Sequence, residues 1–177
     1  VDNPSQKKRT AVITFSYDDG WGETVAKDVH IIQAGSDNSF GEEVTFEQLR
    51  QTATLEGVLL TEGILEAYVV SDKHSGNVNE NTQQAAKSID YTVCRRSAYI
   101  QSLDGRFGFL VLMNQEEDNV FEQDTKVRMD LSDVLLRRYD NPERYVLENV
   151  TVTSLLETED VSGQIPAKIR TITELTD

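Results

Sequence analysis

Alternation of apolar and polar positions dominates the chain and predicts strands. In "VITFSY", Ile13, Phe15 and Tyr17 alternate with Val12, Thr14 and Ser16, the period of two of a half-buried strand. Its odd positions are expected to enter a core. Asp18, Asp19, Gly20 and Gly22 supply turn chemistry, and "VAKDVHII" resumes an extended pattern, so residues 11 to 32 read as a strand pair. From Gly63 onward five further strands are expected: "GILEAYVVSD", "SAYIQSLDG", "RFGFLVLMN", "TKVRMDLSDVLL" and "RYVLENVTVTSL", each rich in apolar or β-branched residues and bounded by turn residues. "FGFLVLM" is apolar on both faces and reads as central, whereas "KVRMDL" sets Val127, Met129 and Leu131 against charged neighbours and predicts one wet face.

One segment has helical spacing. In "VTFEQLRQTA", Thr45 can cap the first turn, Gln48 can return the bond, Val44 can staple onto Leu49, and Phe46, Leu49 and Ala53 share a face. Gly57 marks a point beyond its end. The polar stretch "KHSGNVNENTQQAAKSIDYTVCRR" reads as a long insertion with one helical turn around Gln83 to Lys87. Asn141 and Pro142 predict a chain reversal. A weak echo of "EEVTFEQLRQ" in "KIRTITELTD" suggests that a second unit begins near the end of the chain.

Composition narrows the function. The 177 residues, 38% of them hydrophobic, suffice for one ordinary domain. A net charge of −14 repels a nucleic-acid backbone unless cations gather on one face. The single cysteine, Cys94, has no disulfide partner, and its place in "YTVCRRSAYI" predicts a small buried strand residue. No run approaches the roughly 20 apolar residues of a membrane span. "VDNPSQKKRT" reads as a polar tether, with an export signal removed from before it.

Candidate chemistry centres on "TFSYDDGW", which resembles the polysaccharide deacetylase signature. That resemblance implies Asp18 as general base and Asp19 as metal ligand. The family also needs a His-x-x-x-His pair, and here His30 and His74 stand 44 residues apart, so the metal site is incomplete. "DNSFGEEVTFEQ" offers Asp37, Ser39 and Gly41 for a calcium loop but ends in Gln48 where a bidentate Glu is needed. Cys94 beside Arg95 and Arg96 has no histidine brought to it by sequence, and no nucleophile elbow, Walker loop or dinucleotide fingerprint occurs. The expectation is a chain that is not an enzyme, with no catalytic residue, metal or cofactor.

From Gly41 to Ile165 the order of signals is similar to an uncharacterised OB-like domain of Bacteroidetes surface lipoproteins. The matching segments are "VTFEQLRQ", "GILEAYVVSDKHSGN", "SAYIQSLDGRFGFLVL" and "EDNVFEQDTKVRMDL" leading into "LENV". The insertion from Val78 to Arg96 is longer than the simplest pattern. The resemblance implies a mainly β fold: an OB-like five-stranded barrel with one capping helix, plus an N-terminal strand pair. The expected layout is a tether at 1–10, the strand pair at 11–40, the barrel at 41–165, and at 166–177 a final strand or the start of a following unit. It further implies an extracytoplasmic, cell-surface or outer-membrane setting, with membrane attachment only through a lipid anchor not seen in the chain. Such barrels bind on the face of their second and third strands, which here holds Tyr99 and Gln101, with Arg95, Arg96 and Arg106 approaching. A glycan or a protein is the expected partner; a nucleic-acid-binding OB domain and the metal-dependent deacetylase are the alternatives.

Overall fold

The computed structural model describes residues 9–18, 20, 24–33, 41–73 and 91–165. The chain is mainly β, with two helices. Among the described residues ten strands form two sheets: β1 (Arg9–Asp18) and β2 (Thr24–Gln33) make an antiparallel ribbon, and the other eight make one large sheet. Those eight are β3 (Val58–Leu59), β4 (Ile64–Val69), β5 (Ser97–Gln101), β6 (Gly108–Met113), β7 (Thr125–Asp130), β8 (Leu135–Tyr139), β9 (Arg144–Val150) and β10 (Leu155–Asp160). Their order is β10-β7-β4-β5-β6-β9-β8-β3. Every pairing is antiparallel except β6 with β9, where Leu110 lies beside Val146.

The expected strand "TKVRMDLSDVLL" divides in two. Asp130 is fully buried and its Oδ1 accepts from the backbone N–H and the hydroxyl of Ser132, while Asp133 takes φ +66°. An Asp side chain bonded two residues ahead builds a turn of its own, so the chain bends between β7 and β8. The facing chain bends with it: Leu60 N–H donates to the Val134 carbonyl, Asp133 N–H to that of Leu60, and Leu131 N–H to that of Gly63. "RYVLENVTVTSL" divides likewise into β9, a 3-10 turn at Val152–Ser154, and the start of β10.

Helix α1 (Phe46–Thr52) carries the expected capping box, with Thr45 Oγ1 accepting from Gln48 N–H and the Gln48 side chain accepting from Thr45 N–H. It buries Phe46 and Leu49. The Phe46 ring meets Phe109 edge-on at 4.7 Å, and Phe109 stacks on Tyr145 at 5.3 Å. Around them Leu65, Val69, Ile100, Val111, Met113, Val127, Met129, Leu136 and Leu147 form the core. β6 lies between β5 and β9 as a central strand, with Phe109, Val111 and Met113 buried and Leu110 and Leu112 half-buried. In β7, Val127 and Met129 are buried while Lys126 and Arg128 are half-buried, as expected, but the alternation breaks at Asp130, which is buried where a wet position was expected.

Backbone packing explains the glycine that leads β4. The chain at 42–44 runs beside it, with Val44 N–H donating to the Ile64 carbonyl and Ile64 N–H to that of Glu42. Gly41 and Gly63 take φ +102° and +131°, and a Cβ on Gly41 would stand 2.6 Å from the Gly63 nitrogen. Only glycine allows that approach.

Two expectations are corrected. Cys94 is not in a strand but in α2 (Tyr91–Arg95), and it is half-buried. Ile13, Phe15 and Tyr17 do not enter a core: they are 43%, 60% and 69% exposed. Their alternation reports a sheet face, and it is a face left open to solvent. The helical turn expected at Gln83 to Lys87, the echo near the C-terminus, His74, Asp19 and Trp21 lie outside the described residues.

Candidate functional site

Alternation along β5 puts Ala98 and Ile100 in the core and turns Ser97, Tyr99 and Gln101 outward. Tyr99 is 58% exposed, and its backbone N–H donates to the Ser71 hydroxyl. Across the sheet Tyr99 pairs with Leu110, Gln101 pairs with Tyr68 on β4, and Tyr68 pairs with Lys126 on β7. Leu110, Tyr68 and Lys126 are half-buried outward residues of their strands. The outer face therefore carries two tyrosines with an amide next to one of them. The Gln101 Nε2 is buried and finds no hydrogen-bond acceptor among the described residues.

This face leads along β4 to Glu66 and into a cleft of about 340 Å³. Phe46, Leu65 and Phe107 contribute apolar surface to it, and Glu43, Glu47, Glu66, Asp104 and Arg106 contribute charge. Most of that charge is already matched. Glu66 pairs with Lys126 at 2.8 Å, a hydrogen bond that raises the lysine pKa, and Glu43 lies 3.8 Å from Arg128. Asp104 Oδ1 accepts from the Ser102 hydroxyl and the Arg106 N–H, and its Oδ2 accepts from the Arg106 guanidinium. Those donors, the Arg106 backbone first, hold the Asp104 carboxyl down at about 2. The Phe107 ring is attended by Arg50 at 4.9 Å and Arg106 at 5.1 Å, both within cation–π range.

The expected arginines are not gathered. Arg106 sits in the β5–β6 turn at the cleft, while Arg95 and Arg96 precede the opposite end of β5. Arg95 Nε donates to Glu116 Oε2 at 2.8 Å, and Arg96 Nη1 donates to the carbonyls of Met113 and Asn114. These two tie the chain after β6 to the start of β5. Asn119 adds to the tie, its side-chain amide donating to the carbonyls of Arg95 and Ser97. Of the five residues expected to bind, Tyr99 and Gln101 share the outer face and Arg106 stands at the cleft beyond it.

Asp18 ends β1, where its Oδ1 accepts from Gly20 N–H at 2.8 Å, a side-chain-built turn. Among the described residues no group of three or more His, Cys, Asp or Glu side chains is placed to hold a metal ion, and no helix is long and apolar enough to cross a membrane. Tyr68 and Glu66 were missed from sequence although "LEAYV" signals them as the outward positions of an alternating strand. The contribution of Phe46 and Glu47 to the cleft depends on where α1 docks, and no local pattern carries that. No protein-family model, curated protein or solved structure matches this chain.

Proposed function

We propose that this chain is a non-enzymatic binding or spacer module of a surface lipoprotein, built on an OB-like five-stranded barrel and taking a glycan or protein on the outer face of β5. The barrel reading is supported by how the strands join. Taken as single bent strands, 58–69 and 125–139 pair along their length from Val58 with Leu136 to Tyr68 with Lys126. The remaining pairings run from 58–69 through β5, β6 and β9 back to 125–139. Five strands so joined leave few free edges, and the parallel β6–β9 pair falls between the third and fifth of them in chain order. α1, with Phe46 on Phe109, takes the place of the capping helix. The extracytoplasmic setting rests on the resemblance of the capped helix and strand signatures to the lipoprotein domain.

One observation carries the binding reading: Tyr99, exposed on β5, shares a face with Gln101 and Tyr68. A flat aromatic ring beside an amide suits a sugar ring or a peptide group, which offer C–H surface and polar groups together. A thermal-shift screen of the full chain against polysaccharides, oligonucleotides and divalent metals tests it. A polysaccharide is expected to raise the melting temperature, with the shift lost in Tyr99→Ala and reduced in Gln101→Leu. A shift by oligonucleotides that fades steeply with salt would replace this reading with nucleic-acid binding. A zinc shift abolished by Asp18→Ala would replace it with the deacetylase.

A further inference from the structure

We infer that the β1–β2 ribbon is a self-association surface, on which a second copy of this chain docks face to face in antiparallel orientation. The ribbon has two unlike faces. One carries Ala11, Ile13, Phe15 and Tyr17 from β1, cross-paired with Ile31, Val29, Lys27 and Val25 from β2. The other carries Thr14, Ser16, Asp18, Thr24 and Ala26, with Val12 as its large apolar residue among the side chains described. The 3-10 turn at Val152–Ser154 meets β2, and a two-stranded ribbon gains little from its own pairing in water. A contiguous apolar stripe on such a ribbon marks an interaction site.

Area favours a second copy as the occupant. The exposures of Ile13, Phe15, Tyr17, Val25, Val29 and Ile31 range from 42% to 69%. They leave roughly 700 Å² open per copy, so a facing pair removes up to about 1,400 Å², within the span of stable interfaces. Shape favours the antiparallel orientation. Along β1 the stripe grows steadily through Ala11, Ile13, Phe15 and Tyr17. A twofold axis between Ile13 and Phe15 sets each Tyr17 against Ala11 of the second copy and each Phe15 against Ile13, keeping the filled volume even. Two ribbons stacked in this way form a small β-sandwich about 10 Å thick. This face carries two cations, Lys27 across from Phe15 and Arg9 beyond Ala11, where its Nε donates to Gln33 Oε1, while each copy carries a net charge of −14. Long-range repulsion therefore opposes association, and salt is expected to strengthen it.

Sedimentation equilibrium of the full chain at tens of micromolar, at low and at moderate salt, reads the outcome. The wild type is expected to form a dimer that tightens with salt. Phe15→Ser with Tyr17→Ser is expected to weaken it by about tenfold or more, because a few large aromatic side chains carry most of an interface's energy. Val12→Ser, on the opposite face, is expected to leave it unchanged. Ala11→Tyr and Tyr17→Ala are each expected to weaken the dimer, and their combination to restore it within about threefold, since the two sites then couple across the axis. The melting temperature of the large sheet, followed in every variant, separates lost association from lost folding. A monomeric wild type at every salt concentration, a dimer untouched by the Phe15 and Tyr17 changes, or a combined variant that fails to recover would each overturn the proposal.

Discussion

Buried Asp130 holds half-buried Ser132 two residues on: the Asp130 Oδ1 accepts from the Ser132 N–H at 2.8 Å and from its hydroxyl at 2.6 Å. This small turn divides β7 from β8. Asp130→Ala strands two donors and is expected to cost about 2–3 kcal/mol, whereas Ser132→Ala removes one bond and costs about 1 kcal/mol. Asp130→Asn keeps a carbonyl acceptor and should fall closer to the serine variant. Urea denaturation measures all three; an Asp130→Ala variant as stable as wild type would mean that the bend is held by other groups.

Gly41 and Gly163 offer a matched pair. Both hold positive φ, +102° and +73°, but a Cβ on Gly41 meets backbone at 2.6 Å while one on Gly163 meets nothing within 4 Å. Gly163→Ala is expected to cost about 1 kcal/mol from conformation alone. Gly41→Ala adds displacement of the chain at Gly63, for about 2–4 kcal/mol in total. Equal melting temperatures for the two variants would refute the close-approach argument.

In α1, docking should outweigh capping. Thr45→Ala loses one side of the box and is expected to cost about 1 kcal/mol. Phe46→Ala opens a cavity against Phe109 and should cost about 3–5 kcal/mol. Circular dichroism melts of both variants give the ranking directly, and the reverse order would show that α1 is stabilised locally rather than by the core.

Asp104 should titrate unusually low. Its folded value of about 2 lies below the ordinary 3.8, so its contribution is present above the unfolded value and is lost as pH falls through the folded one. Carboxyl NMR should place its inflection near 2. Arg106→Gln keeps the backbone donor and is expected to raise the inflection only part of the way, with Ser102→Ala acting in the same direction. An inflection at the ordinary value in the wild type would show these donors disengaged in solution.

Much of this was legible in the sequence because it is local. Thr45 and Gln48 signal the helix start by themselves, and period two in β5 and β7 separates Tyr99 and Gln101 from Ile100, and Lys126 and Arg128 from Val127. Alternation names a face without naming what covers it, which is why Ile13, Phe15 and Tyr17 were expected inside. The β7–β8 bend had a signal, the polar "DLSD" within an apolar run, but a buried aspartate bonded through one oxygen to its own near neighbour looks from sequence like an ordinary wet position. α2 was hidden by Thr92 and Val93, whose branching favours strands. The arginines lie near β5 in sequence, yet Arg96 and Arg106 stand at its opposite ends.

The bent partnership of 58–69 with 125–136 also sets an order of assembly. β5–β6 and β8–β9 are joined by short turns and can close early, whereas Val58 must find Leu136 across most of the intervening chain before that contact repays the lost chain entropy. The seam between these two segments is then expected to form late. Weakening it at Asp130 is expected to appear in the unfolding rate, with the folding rate nearly unchanged.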